Sequence, residues 1–327
     1  MATPKQQRID PKSLPAKRGT KSGRPGGRPP GAPPIHRATA RDWIGGARLR
    51  TVPLAIAPVA LGTATAYTLG DGGWHWVRAL LCLAVAVALQ VGVNFANDYS
   101  DGVRGTDKRR VGPPRLTASG AAKPRTVLTV ALVFFALAAA AGIVLVVLTQ
   151  QWLLLAVGAA CIIAAWFYTG GKRPYGYYGL GELFVFVFFG LVATAGTTFV
   201  QAGTVNLETW LAGTAAGLLA CATLMINNVR DREQDALAKK RTLAVLIGNL
   251  PARITYAVFM VLPFGVLVFF VLFYDKAGYV YFALLAAVPA ILIGLTGKTP
   301  GELIDALRLT TLTAFVFGVG LALAIAF

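Results

Sequence analysis

The stretch "NFANDYSDGVRGTD", residues 94–107, places three aspartates and two asparagines directly after a long apolar run. Asn94, Asn97, Asp98 and Asp101 recur at i, i+3, i+4 and i+7, so a helix continued through them carries all four on one face. Asp107 follows "GVRGT", whose two glycines allow the chain to bend back toward that face. A second set, "INNVRDREQD" at 226–235, has Asn227, Asp231 and Asp235 at i, i+4 and i+8. Both sets contain Asn-x-x-x-Asp, as Asn97/Asp101 and Asn227/Asp231, closing the second and the sixth apolar segments, a period of four predicted helices. That spacing hints at a repeat of four-helix halves. Acids at a helix C-terminus oppose the macrodipole, and like charges one turn apart repel, so these sets call for a cation. Carboxylate and amide oxygens are hard ligands with no His or Cys cluster beside them, which points to Mg2+. Magnesium takes one or two carboxylates and leaves its other positions to water and phosphate oxygens. Two such sets facing each other suit a diphosphate.

The neighbouring loops are basic: Arg104, Lys108, Arg109 and Arg110 after the first set, and Lys239, Lys240 and Arg241 after the second. Lys172 and Arg173 lie in "YTGGKRPYGYYGLGE", residues 168–182, with Tyr168, Tyr175, Tyr177 and Tyr178. Each basic residue has two readings, a topology-setting charge or a contact to an anionic substrate. Each tyrosine likewise belongs either to an interfacial belt or to a site. Glu182 enters an apolar segment, where a carboxylate is costly without a partner.

The elements that must position these groups are membrane helices. Of 327 residues, 56% are hydrophobic and 14% charged, where a soluble domain carries about a quarter charged. Nine apolar segments have near-spanning length, at 52–69, 77–97, 126–148, 152–169, 180–201, 208–228, 253–274, 277–296 and 307–327. Nothing in the pattern suggests a β-barrel. With nine spans, every lysine and arginine except Arg78 and Lys276 falls on one side of the membrane. The positive-inside rule makes that side cytoplasmic, together with the N-terminus and both acidic sets.

Residues 1–40 are rich in Pro, Gly, Lys and Arg and lack apolar periodicity, so a disordered basic tail is expected ahead of a transmembrane domain at 41–327. The tail suits anionic lipid, and no aromatic or motif signal supports nucleic-acid binding. Residues 39–50, "TARDWIGGARLR", suit a short interfacial helix. Cys82, Cys161 and Cys221 lie inside predicted spans at no metal-ligand spacing and read as packing residues.

The segments "NDYSDGVRGTD", "NNVRDREQD", "YTGGKRPYGYYGLGE" and "KKRTLAV" together resemble the UbiA superfamily of intramembrane prenyltransferases, from about residue 46 to the C-terminus. The loops are most similar to the actinobacterial branch that prenylates 1,4-dihydroxy-2-naphthoate. The resemblance implies an all-α polytopic bundle of about nine transmembrane helices around a central cavity, with a cytoplasmic loop cap carrying two Asp-rich motifs. It implies Mg2+ as cofactor, a polyprenyl diphosphate donor, and decarboxylative prenyl transfer giving demethylmenaquinone for menaquinone biosynthesis.

Carried over position by position, the metal ligands are Asn97, Asp98, Asp101, Asp107, Asn227, Asp231 and Asp235. In the family's first motif an acid often stands four residues after the position of Asp101. Here that position is Gly105 and the next acid is Asp107. In the second motif Asn228 stands where many relatives have Asp. Asp101, Asp231, Asp235, Lys172 and Tyr168 take catalytic roles, and Arg48, Arg104, Lys108, Arg173, Lys240 and Arg241 contact diphosphate or acceptor carboxylate.

Two rival readings share some of these features. The same fold can serve another acceptor, such as 4-hydroxybenzoate, with which the acid spacing is equally compatible. A transporter of an anionic substrate would also use repeats, but its ionisable groups belong near the midplane. Here they cluster at one face.

Overall fold

The computed structural model describes residues 37–70, 73–109 and 115–327, without the side chains of Lys108 and Arg109. The tail expected over 1–40 lies outside the described residues up to position 36, as does the side chain of Lys108. Among the described residues the secondary structure is helical, with no strand. The helices are α1 (Ala40–Ala47), α2 (Pro53–Leu69), α3 (Trp76–Arg104), α4 (Pro124–Thr149), α5 (Leu153–Phe167), α6 (Gly181–Val185), α7 (Ala193–Ala202), α8 (Leu207–Leu237), α9 (Leu243–Ile247), α10 (Asn249–Phe273), α11 (Leu284–Thr296) and α12 (Pro300–Ala326). A π-helical stretch, Phe186–Val192, joins α6 to α7, and a 3-10 stretch, Asp275–Ala283, leads into α11.

Local sequence explains the ends. Proline occupies the first position of α2, α4 and α12, where its missing N–H costs nothing. Thr39 and Asp42 form a capping box on α1, and Thr299 and Glu302 another on α12. The short helix expected over 39–50 is α1, and it meets α2 at a 44° bend. That bend follows Arg48, which is left-handed at φ 54°.

Among the described residues seven helical segments are long and apolar enough to cross a membrane, or eight if the bent α1–α2 pair is one span. All nine expected spans fall on helices. Two of them correspond to α2, with 17 residues, and α5, with 15, both short of the roughly 20 residues a perpendicular crossing needs. The count by length is therefore seven or eight rather than nine, because α2 is cut off by the bend and α5 stops where Tyr168 begins the loop.

Lipid is as apolar as leucine, so the bundle is held by close packing and interhelical hydrogen bonds. Gly190 of the π stretch lies against α8 so closely that a Cβ there would stand 2.5 Å from the Gly217 Cα. The Thr65 and Thr198 hydroxyls lie 2.8 Å apart, Gln201 donates to Thr63 at 3.0 Å, and Tyr256 and Thr310 share a bond at 2.7 Å. A large core joins α2 to α8, α10, α11 and α12 around Leu61, Leu219, Met225, Tyr256, Phe270 and Phe317. A smaller one joins α3 and α4 around Val91, Phe95, Val127 and Phe135. Between them lies a cavity of about 520 Å³.

Candidate active site

α3 and α8 are the two longest helices, of 29 and 31 residues, and each runs past its apolar part into one of the acidic sets. Both sets reach the same end of the cavity: Asn94, Asn97 and Asp101 line it from α3, and Asn227, Asn228, Asp231 and Asp235 from α8. Asp101 is 1% exposed, a burial that a carboxylate tolerates only with partners.

The C-terminal turns of the two helices supply those partners. Gly105, at φ 79°, closes α3 with its N–H on the carbonyls of Asp101 and Gly102. Beyond α8, Lys239 is left-handed at φ 59°, the Lys240 N–H returns to the Asp235 carbonyl at 2.8 Å, and the Arg241 N–H reaches the Tyr177 carbonyl at 3.2 Å. This reversal brings the Lys240 ammonium 3.6 Å from Asp101 Oδ2 and 3.8 Å from Asp235 Oδ1, so one cation bridges the two sets. Burial works against the charge on Lys240, but Asp101 and Asp235 outweigh it and hold the ammonium protonated well above the usual lysine range.

Tyr177 donates to Asp101 Oδ1 at 2.8 Å, and the Thr169 hydroxyl donates to Asn97 Oδ1 at 2.7 Å. Lys240 and the Arg104 guanidinium each lie 5.4 Å from the centre of the Tyr177 ring. Burial, then the charge of Asp101, pushes the Tyr177 phenol up to about 12.

The expected site residues divide by place. Arg48, Asn97, Asp101, Tyr168, Asn227, Asp231, Asp235 and Lys240 all line the cavity. Asp98 does not: its two oxygens accept the backbone N–H groups of Leu116 and Thr117 at 2.9 and 2.8 Å, tying down the loop that leads to α4. Asp107 is itself outside the lining but pairs at 3.3 Å with Arg115, which does line the cavity. Arg104 donates to the carbonyls of Thr169 and Gly171, so it clamps the loop after α5. Lys172, Arg173 and Arg241 are exposed and outside the lining.

Other residues stand where spacing did not lead. Arg230, with a side chain 2% exposed, grips both oxygens of Asp231 at 2.8 and 2.7 Å and donates to Asn227 Oδ1 at 2.7 Å. Its position three residues after Asn227 on the helix was the available signal. Asn228 donates to Glu182 Oε1 at 2.9 Å, which gives the buried carboxylate its partner. Gln90 and Thr51, joined at 2.7 Å, border the cavity beside Arg48.

Among the described residues no three His, Cys, Asp or Glu side chains converge to form a metal cage. The donor set is nonetheless one that fits Mg2+. Two carboxylate-and-amide groups face one space, already share a cation, and would leave most coordination positions to phosphate oxygens. The rest of the cavity wall is mostly apolar, from Leu89 and Phe188 to Val59 and Leu145. The arrangement suits an amphiphile with an anionic head and an apolar tail.

The UbiA prenyltransferase family model matches residues 55–301, and the chain belongs to that family. It is 46% identical over 304 residues to the 1,4-dihydroxy-2-naphthoate octaprenyltransferase of Mycobacterium tuberculosis, covering 89% of this chain and 98% of that protein. It is 39% identical over 217 residues to the enzyme of the same name from Escherichia coli, covering 64% and 70%. The fold is shared with a UbiA homolog from Aeropyrum pernix, at TM-score 0.64 and 17% identity over 84% of this chain and 96% of that one. It is also shared with a UbiA homolog from Archaeoglobus fulgidus bound to GPP and Mg2+, at TM-score 0.60 and 14% identity over 86% and 99%.

Proposed function

We propose that this prenyltransferase joins a polyprenyl group from polyprenyl diphosphate to 1,4-dihydroxy-2-naphthoate with loss of carbon dioxide, as a step of menaquinone biosynthesis. The observation that carries the reading is the meeting of the two acidic sets at one end of an apolar cavity, supported by the names of the relatives that cover nearly the whole chain. The positive-inside distribution supports a cytoplasmic acid-bearing end.

Asn97, Asp101, Asn227, Asp231 and Asp235 would hold magnesium, which when bound neutralises the charge that develops on the departing diphosphate. Lys240, fixed between Asp101 and Asp235, orients the same oxygens and remains charged throughout. The allylic C–O bond breaks with its electron pair going to diphosphate. Tyr168 and the neighbouring amides offer the resulting cation electron-rich surfaces that do not capture it. The ring carbon bearing the acceptor carboxylate attacks, and the carboxylate leaves as carbon dioxide, returning its electron pair to the ring. That departure removes any need for a strong base. Of Arg48, Lys172 and Arg173, Arg48 is the residue we assign to orient the acceptor carboxylate, a reading supported by its position in the cavity lining, outside which the other two lie.

The test offers the purified protein labelled prenyl diphosphate with 1,4-dihydroxy-2-naphthoate, 4-hydroxybenzoate or homogentisate, with and without Mg2+. A decarboxylated, prenylated naphthoquinol formed only with Mg2+ is expected. Transfer to one of the other acceptors alone would refute the assignment of acceptor.

A further inference from the structure

Most glycines buried in this bundle permit close packing. A Cβ on Gly62 would stand 2.4 Å from the Thr194 carbonyl oxygen, and one on Gly318 would stand 2.4 Å from the Ala57 Cβ. Gly142, Gly158 and Gly196 differ. Each lies inside a helix, α4, α5 and α7 in turn, and a Cβ at any of them would meet nothing within 4 Å. None has a positive φ. Glycine in a helix interior costs about 1 kcal/mol relative to alanine, and at these three positions no packing contact or backbone requirement offsets it. All three line the cavity that carries the acidic sets.

Their depth is informative. At about 1.5 Å rise per residue, Gly158 lies roughly 15 Å along α5 from Tyr168 at the polar end, and Gly142 roughly 27 Å along α4 from Pro124. On α3 the lining runs from Asp101 to Cys82, roughly 28 Å by the same rise, close to the thickness of the hydrocarbon layer. α5 packs on α3 and α4 and makes almost no close approach to the α6–α7 span. The glycines thus border an apolar cleft that continues from the diphosphate end and is too deep for one or two isoprene units to fill.

Resting on the function proposed above, we infer that Gly142, Gly158 and Gly196 set the donor length: their missing side chains leave room for the distal isoprene units between α4, α5 and α7. They act on the fit of the tail and leave the chemistry to the acid-bearing end.

The experiment compares Gly158→Leu and Gly196→Leu with wild type on two donors, geranyl diphosphate and an eight-isoprene diphosphate. Gly265→Leu is the control, because Gly265 also has open space around its Cβ but lies outside the cavity lining. In the cavity variants, kcat/KM for the long donor is expected to fall about tenfold or more while the short donor stays within about twofold, with the unfolding temperature in detergent not lowered. The control should alter neither donor. Equal loss on both donors, or no loss on either, would overturn the inference. Gly158→Ala, which adds one methyl into open space, should give the same selectivity in weaker form, and its absence counts against the inference even if the leucine variants fold poorly. Wild-type protein inert toward both donors would overturn the proposed function, and this inference with it.

Discussion

The Lys240 ammonium stands 3.6 Å from Asp101 of α3 and 3.8 Å from Asp235 of α8, the one cation shared by the two acidic sets among the described residues. Close, buried charge pairs of this kind couple by about 1.5 kcal/mol or more. Lys240→Ala is therefore expected to lower kcat/KM by roughly ten- to a hundredfold and, by taking a positive charge off two of the proposed Mg2+ ligands, to shift the Mg2+ concentration needed for half-maximal rate. An unchanged Mg2+ dependence in steady-state assays would show that Lys240 does not act between the two sets.

Arg230 and Asp231 form a buried pair with two hydrogen bonds. Removing one partner of such a pair leaves an uncompensated charge, at a cost of about 3–5 kcal/mol. Arg230→Met should lower the unfolding temperature in detergent far more than substitution of half-buried Arg232. Equal, small shifts for both would remove Arg230 from the account.

Asp98 and Asp101 separate along one helix turn. Asp98 holds two backbone N–H groups of the loop before α4, whereas Asp101 faces the cavity. Asp98→Asn is expected to cost about 1–3 kcal/mol of stability with the Mg2+ dependence retained. Asp101→Asn should lose activity far beyond what the stability lost with its Lys240 pair explains. Equal loss of activity at normal stability in both would place Asp98 among the functional acids after all.

The two acidic sets, the helical class and the apolar spans are legible in the sequence because each is local: i, i+4 spacing and run length determine them. The roles of individual charges are not. Asp98 and Asp101 look equivalent in a heptad pattern, yet loop 115–122 folds back over one of them. Arg104, Lys172 and Lys240 are equally basic, and only the left-handed turn at Lys239 turns Lys240 inward. Arg230 was concealed by adjacency, since a residue beside Asp231 in sequence is expected on another face, and its long side chain reaches back around the helix. The bend at Arg48 and the early end of α5 are backbone events that hydropathy does not register.

The pH profile follows from the same contacts. Lys240 has a folded pKa raised above the unfolded value, so its stabilisation is complete below the ordinary lysine range, about 10.4, and is lost only as pH rises through the still higher folded value. Tyr177 is neutral up to about 12. Neither group should give a basic limb in the rate between about pH 7 and pH 10. A limb in that interval that disappears in Lys240→Ala or Tyr177→Phe would contradict the environment described for these groups.

The most direct test of the central claim, that acids from two helices jointly serve one diphosphate, is single-turnover prenyl transfer at graded Mg2+ in wild type, Asp101→Asn, Asp231→Asn and the double variant. The two acids act as a unit, so each single variant should lose nearly as much rate per folded protein as the double, the stability that Asp231→Asn loses with its Arg230 pair being measured separately by unfolding in detergent. Losses that simply add, or a single variant that turns over normally, would contradict a shared site.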